Sequence, residues 1–153
     1  MPKLARRYPM VPRQSVLETP QDRAFNVAHK AYEAKLTDLR EATATCLLAT
    51  ARQMRGVLHH FDTSDPDLRS FHEALDRGIA ASDLAAIHKA VKDLLATIDR
   101  SAIPFHDEQS AEAAFVVSLD NYADAYESWH SNDHDLSHRI TVMCRASLNR
   151  LGD

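Results

Sequence analysis

The chain has 153 residues, of which 44% are hydrophobic and 26% charged, a composition that fits one folded domain and excludes a disordered protein. Only three glycines occur, and the β-branched residues are scattered, so strands and tight turns are disfavoured. The net charge is −4, and no apolar run reaches the roughly 18 to 20 residues of a membrane span.

Residues 1–18 differ from the rest of the chain. Three prolines there exclude a continuous helix and favour extended backbone: Pro2, Pro9 and Pro12. Residues 1–19 carry four cations against Glu18 alone, a local charge of +3 that leaves −7 on the remainder. The segment lacks the apolar stretch of a secretory signal, and two cysteines are too few for a disulfide framework, so a cytoplasmic location is predicted.

We interpret this segment as an extended basic tail, followed by a single helical-bundle domain over 19–153. A loosely held, solubilising tail is the simpler interpretation. The sharper hypothesis is an arm that docks on a second subunit or a protein partner, because the segment combines cations with apolar anchors on an extended backbone. The residues of this predicted partner-binding arm are Arg6, Arg7, Tyr8, Met10, Val11 and Arg13.

The first predicted helical leg covers about residues 20–61. Thr19 suits the N-cap and Pro20 the first helical position. Apolar or small residues then recur with a mean spacing of about 3.6, which indicates one amphipathic helix on the order of 60 Å long. They are Phe25, Ala28, Tyr32, Leu36, Leu39, Thr43, Leu47, Ala51, Met54, Leu58 and Phe61. So long a helix favours dimerisation, because a compact domain of this size does not easily cover it.

Two further legs complete the predicted fold, at about 66–100 and 107–151. Gly78 followed by Ser82 and Asp83 predicts a break in the second leg. The cap-like sequence 131–133 leaves open whether the third is one kinked helix or two. The predicted class is therefore all-α: an elongated antiparallel bundle of three long legs, or of four to five helices if the legs break.

Histidines supply the main candidate site for chemistry. His130, His134 and His138 are spaced i, i+4, i+8, so on a continuous helix they share a ridge that could chelate a metal. A solvated helix flank is the simpler interpretation. His88 lies within an apolar stripe, where a core-edge histidine bonded to a carbonyl or carboxylate is expected. Cys46 and Cys144 are interpreted as small apolar residues.

The aromatic series Phe115, Tyr122, Tyr126 and Trp129 is expected to fill the core, with polar partners for the hydroxyl and indole groups. Glycine-rich phosphate loops, serine elbows and zinc-protease motifs are missing from the sequence. The functional hypothesis is therefore a non-enzymatic interaction protein, such as a small bacterial accessory, regulatory or inhibitor protein. It would bind a protein partner or form a homodimer, with no cofactor and with nucleic acid an improbable ligand. The alternative is a bundle, which could be an enzyme, that binds a metal or small ligand through the histidines of the third leg.

Overall fold

A computed structural model describes residues 19–107 and 109–152, and this part of the chain is predominantly helical, without a strand. Its five α-helices are α1 (Pro20–Val57), α2 (Pro66–Ala80), α3 (Leu84–Leu95), α4 (Ala111–His130) and α5 (His134–Gly152). Short 3-10 turns lie at Leu58–His60 and Arg100–Ala102. The all-α prediction is confirmed. The chain divides into two compact units, Met1–Thr37 and Asp38–Asp153.

Side-chain caps mark four helix starts, of which that of α4 lies a few residues beyond the predicted start of the third leg. At the start of α1 the Thr19 hydroxyl accepts from the Asp22 amide, and the Asp22 carboxylate accepts from the Thr19 amide, both at 3.1 Å. Asp65 caps α2 ahead of a proline, Asp83 caps α3 and Ser110 caps α4. Each cap satisfies amides that the first helical turn leaves without a partner.

The third predicted leg is two helices, which settles the alternative left open by the sequence. Asn132 has φ of 70°, a left-handed conformation that ends α4 and that asparagine tolerates better than most residues. The Ser131 amide donates to the Glu127 carbonyl at 3.0 Å, and the Asp133 carboxylate accepts from the Leu136 amide at 3.3 Å. The spacing of apolar residues does not reveal the break, because the apolar pattern stays in phase from α4 to α5.

The unit over 38–153 has one hydrophobic core to which all five helices contribute. Its central residues, all fully buried or nearly so, are Leu47 and Met54 from α1, Phe71 and Leu75 from α2, Ile87 and Val91 from α3, Leu119 and Tyr122 from α4, and Cys144 and Leu148 from α5. Helix α2 packs on α3, α3 on α4, and α4 on α5. At Gly78 the approach is so close that a Cβ atom there would lie 2.6 Å from Cγ1 of Ile87.

Within the first unit, the structure describes one helical stretch, residues 20–37 of α1. Every residue from 20 to 35 is exposed. No helix in the described part of the chain is long and apolar enough to cross a bilayer.

Candidate functional site

The first candidate surface is the early part of the α1 stripe, which we call the α1 apolar face: Phe25, Ala28, Tyr32 and Leu36. Phe25 is 68% exposed and Tyr32 61% exposed, whereas Leu36 is half-buried. Farther along the same helix, Thr43 and Leu47 of the same stripe are fully buried. One sequence pattern therefore has two outcomes, and in its first part large apolar side chains face solvent.

Residues beside the α1 apolar face are small or charged. Ala24 and Ala31 flank one side of it, and the Phe25 ring stacks on His29 with centroids 5.9 Å apart. His29 in turn lies 3.5 Å from the Glu33 carboxylate. The stretch 20–38 contains three acidic and three basic residues, and so is neutral apart from histidine: Asp22, Glu33 and Asp38 against Arg23, Lys30 and Lys35.

A second candidate site is an open cavity of about 310 Å³ in the unit 38–153, which we call the acidic pocket. Its apolar lining includes Phe61, Leu68, Ile98, Ile103 and Phe115, and its carboxylates are Asp65, Asp67, Asp99 and Glu112. The Phe61 and Phe115 rings are 5.0 Å apart. Neither lysine, arginine nor histidine is among the residues that line it. Its volume is near the lower end of the about 300–1,000 Å³ typical of small-ligand sites.

Two carboxylates of the acidic pocket accept local hydrogen bonds. Asp65 accepts from the Asp67 and Leu68 amides at the start of α2. Hydrogen bonds from the Ser101 hydroxyl and amide hold the pKa of Asp99 below its ordinary value. Two nearby cations have other partners: the Arg69 guanidinium binds the Ser64 carbonyl at 3.1 Å, and Arg100 makes a bidentate pair with Asp120.

A polar and aromatic cluster lies between α3 and α4. The His88 ring stacks on Tyr126 with centroids 4.4 Å apart, and its Nε2 is 2.9 Å from the Glu127 carboxylate. The expected core-edge histidine with a carboxylate partner is confirmed. This hydrogen bond, and more weakly Lys92 nearby, lowers the pKa of Glu127, while partial burial opposes the shift.

Arg40 ties α1 to the turn between α4 and α5. Its guanidinium donates to the Trp129 carbonyl and to Oδ1 of Asn132, and lies 4.2 Å from the centre of the Trp129 ring. The Trp129 indole N–H donates back to the Arg40 carbonyl at 3.1 Å. These contacts hold α1 against the end of α4 and the turn that follows it.

Comparison with protein-family models, with curated proteins and with solved structures finds no significant match. We therefore interpret the surfaces of the chain from its own residues.

The three candidate metal-ligating histidines do not share one helix. His130 is the last residue of α4, whereas His134 and His138 lie one turn apart on α5. The Nδ1 atoms of His134 and His138 are buried and lack a hydrogen-bond partner, while the His130 ring stacks on Tyr126. Within 19–107 and 109–152, no group of three or more histidine, cysteine or carboxylate side chains is placed to hold a metal ion.

Of the two cysteines, Cys144 is buried and Cys46 is half-buried. The Cys144 thiol donates to the Ser118 carbonyl at 3.0 Å, and burial raises its pKa to about 12. Because the thiolate is the nucleophilic form, Cys144 is inert at neutral pH.

The predicted partner-binding arm lies outside the described residues: Arg6, Arg7, Tyr8, Met10, Val11 and Arg13. Sequence reasoning missed the acidic pocket altogether. Its members come from two connections, from the start of α2, the end of α3 and the start of α4, and its aspartates at 65 and 99 each have a local capping role that accounts for them in the sequence.

Proposed function

We propose that this chain is a non-enzymatic helical interaction protein that associates with a second copy of itself through the α1 apolar face. The role fits a small accessory, regulatory or inhibitor protein of the kind bacteria use to bind other proteins. The observation that supports it is the exposure of Phe25 and Tyr32, at 68% and 61%, on a helix whose later stripe is buried. Large aromatic side chains grouped on an exposed face are typical of protein interfaces.

Pairing of α1 between two copies would bury the first part of its apolar stripe against another helix, as the core buries the later part. The periodic stripe that buries Leu47 and Met54 in the core continues back through Tyr32 to Phe25, so a second helix laid on it meets the same ridge pattern. Ala24 and Ala31 beside the stripe allow that helix to approach closely. Because 20–38 has equal numbers of acidic and basic residues, two copies of it do not repel each other.

The energetic scale of such pairing follows from the two rings. An aromatic side chain has about 200 Å² of surface, and roughly two-thirds of it is exposed at Phe25 and Tyr32. At about 25 cal/mol per Å², burying each ring is worth about 3 kcal/mol before the costs of association. Truncating both rings in both copies therefore removes much of the affinity.

Sedimentation equilibrium of the full chain tests the proposal. We expect a dimer whose dissociation constant rises at least about 100-fold in the double variant Phe25→Ala/Tyr32→Ala, equivalent to about 2.7 kcal/mol. Val27→Ala is the matched control, because Val27 is 66% exposed but lies about 140° around the helix from Tyr32. It should leave dimerisation unchanged. Circular dichroism should show the same helicity in all three proteins.

Two results would contradict the proposal. A strictly monomeric wild-type chain at the highest attainable concentration removes self-association. A dimer equally sensitive to Val27→Ala and to the double variant shows that the α1 apolar face is not its interface.

The second candidate function is a helical bundle that binds a metal through α5, and the unpaired Nδ1 atoms of His134 and His138 favour it. Zinc would raise the melting temperature of the wild-type chain but not that of His134→Ala/His138→Ala. The exposed pair His59 and His60 provides the control, because zinc binding by surface histidines in general would be reduced equally by His59→Ala/His60→Ala. An unchanged melting temperature on adding zinc eliminates this candidate.

A further inference from the structure

We propose that the acidic pocket binds the basic N-terminal segment, residues 3–13, of a second copy of the chain. The inference rests on the self-association proposed above and adds a second contact to it. Its basis is the combination, in the lining of one cavity, of apolar side chains with four carboxylates and no cation among the described residues.

The acidic pocket has both apolar surface and carboxylates that are available to a ligand. Phe61, Leu68, Ile98 and Ile103 are only partly buried, so apolar surface is open to an incoming side chain. Four carboxylates surround it, and within the described residues none of them has an ion-pair partner. A ligand that lowers the free energy of such a site supplies cations around an apolar group.

The N-terminal segment has that chemistry. Residues 3–13 carry four cations and no acidic residue, and the cations surround Tyr8, Met10 and Val11. A tyrosine suits the cavity, because its ring is apolar while its hydroxyl can donate to a carboxylate at the rim. The prolines in the segment reduce the entropy lost when an extended peptide is held. At neutral pH, residues 1–19 carry a net charge of +3 and the rest of the chain carries −7.

Charge reversal distinguishes a contact between two copies from a contact within one chain. One full-length variant reverses the segment, Arg6→Glu/Arg7→Glu, and another reverses the pocket, Asp67→Lys/Glu112→Lys. Asp67 and Glu112 lie in the first turns of α2 and α4, where exchange for lysine loses a favourable interaction with the helix dipole of up to about 1 kcal/mol per site, so circular dichroism and urea unfolding check that each variant is folded. Each variant alone places like charges together, and its dimer should dissociate at least about tenfold more readily in low salt.

Mixing the two variants is the decisive measurement. In the mixed dimer, a normal segment meets a normal pocket and a reversed segment meets a reversed pocket, so affinity should return to within about threefold of wild type. A sample of each variant alone is the matched control. Isoleucine methyl signals from Ile98 and Ile103 should shift in the wild-type dimer and in the mixed dimer, but not in either variant alone.

The possible outcomes distinguish a failure of this inference from a failure of the proposed function. A wild-type chain that is strictly monomeric overturns both. A dimer that weakens with Phe25→Ala/Tyr32→Ala but not with either charge reversal retains the α1 interface and overturns the pocket assignment. Rescue in a single chain carrying both reversals, without rescue on mixing, places the segment elsewhere than on a second copy and also overturns it.

Discussion

Gly78→Ala tests the closest helix approach in the structure, that between α2 and α3. The added Cβ would lie 2.6 Å from Cγ1 of Ile87 and 3.4 Å from its backbone nitrogen. Carbon atoms in contact are normally about 3.5 to 4.0 Å apart, so the methyl group needs about 1 Å more room. Ile87 is fully buried, and its branched side chain is stiff, so the helices themselves must separate.

The expected loss of stability is the difference between two opposing effects. Overpacking a close-packed core costs about 1 to 3 kcal/mol, whereas alanine gains about 1 kcal/mol over glycine inside a helix. We therefore expect Gly78→Ala to lower the free energy of unfolding by up to about 2 kcal/mol. In a chain of this size, that corresponds to a melting temperature up to about 8 °C lower.

Urea unfolding followed by far-UV circular dichroism measures the change, and Gly56→Ala is its control. Gly56 lies in α1 with nothing within 4 Å of the position of its missing Cβ, so only the gain in helix propensity applies. That variant should be more stable by up to about 1 kcal/mol. The same exchange is thus expected to have opposite signs at two helical glycines.

A double-variant cycle identifies the cause. In an Ile87→Ala background the clashing carbon is gone, and Gly78→Ala should become neutral or stabilising. If Gly78→Ala stabilises the wild-type chain as Gly56→Ala does, the helices are farther apart than described. If it destabilises both backgrounds equally, the loss does not come from Ile87.

Three other variants test individual side chains. Tyr122 is fully buried, and its hydroxyl lacks a hydrogen-bond partner. Tyr122→Phe should therefore leave the free energy of unfolding unchanged or raise it by about 1 kcal/mol. A loss above about 1.5 kcal/mol in urea unfolding would show that the hydroxyl has a partner. Arg40→Lys cannot keep both hydrogen bonds and the stacking on Trp129, and should cost about 1 to 2 kcal/mol in the same assay; equal stability contradicts the contact. His88→Ala should raise the pKa of Glu127 towards its ordinary value, because its main hydrogen bond is lost. A carboxylate whose pKa is lowered in the folded state stabilises the fold at pH values above its unfolded pKa, and this stabilisation is lost as the pH falls through the folded pKa. Between these two pKa values, the variant should therefore lose less stability on acidification than the wild type. An NMR titration that finds the same Glu127 pKa in both proteins refutes this.

Local chemistry made much of the fold predictable. Thr19, Asp65 and Asp83 are caps that can be recognised in sequence, and each begins a helix in the structure. The break at Asn132 could only be offered as an alternative, because the apolar spacing of α4 and α5 is in phase across it. One hydrogen bond to this turn, from Arg40 to Asn132, joins residues 92 apart in sequence, and spacing along the chain does not indicate it.

The candidate surfaces were less predictable, for a related reason. Periodicity shows that Phe25 and Leu47 belong to one stripe, but it does not show which part of that stripe the other helices reach. The acidic pocket depends on bringing Phe61, Ile98 and Phe115 together from three separate segments, and no spacing rule connects them.

Helix α1 also has a consequence for backbone dynamics. Its amides form one hydrogen-bonded ladder, yet residues 20–35 are exposed while Leu47 and Met54 are core. An isolated helix of that length is only marginally stable in water, so amide hydrogen exchange should be slow near Met54 and become progressively faster towards Pro20. If two copies pair there, protection at the fast end should increase with protein concentration while the slow end stays constant.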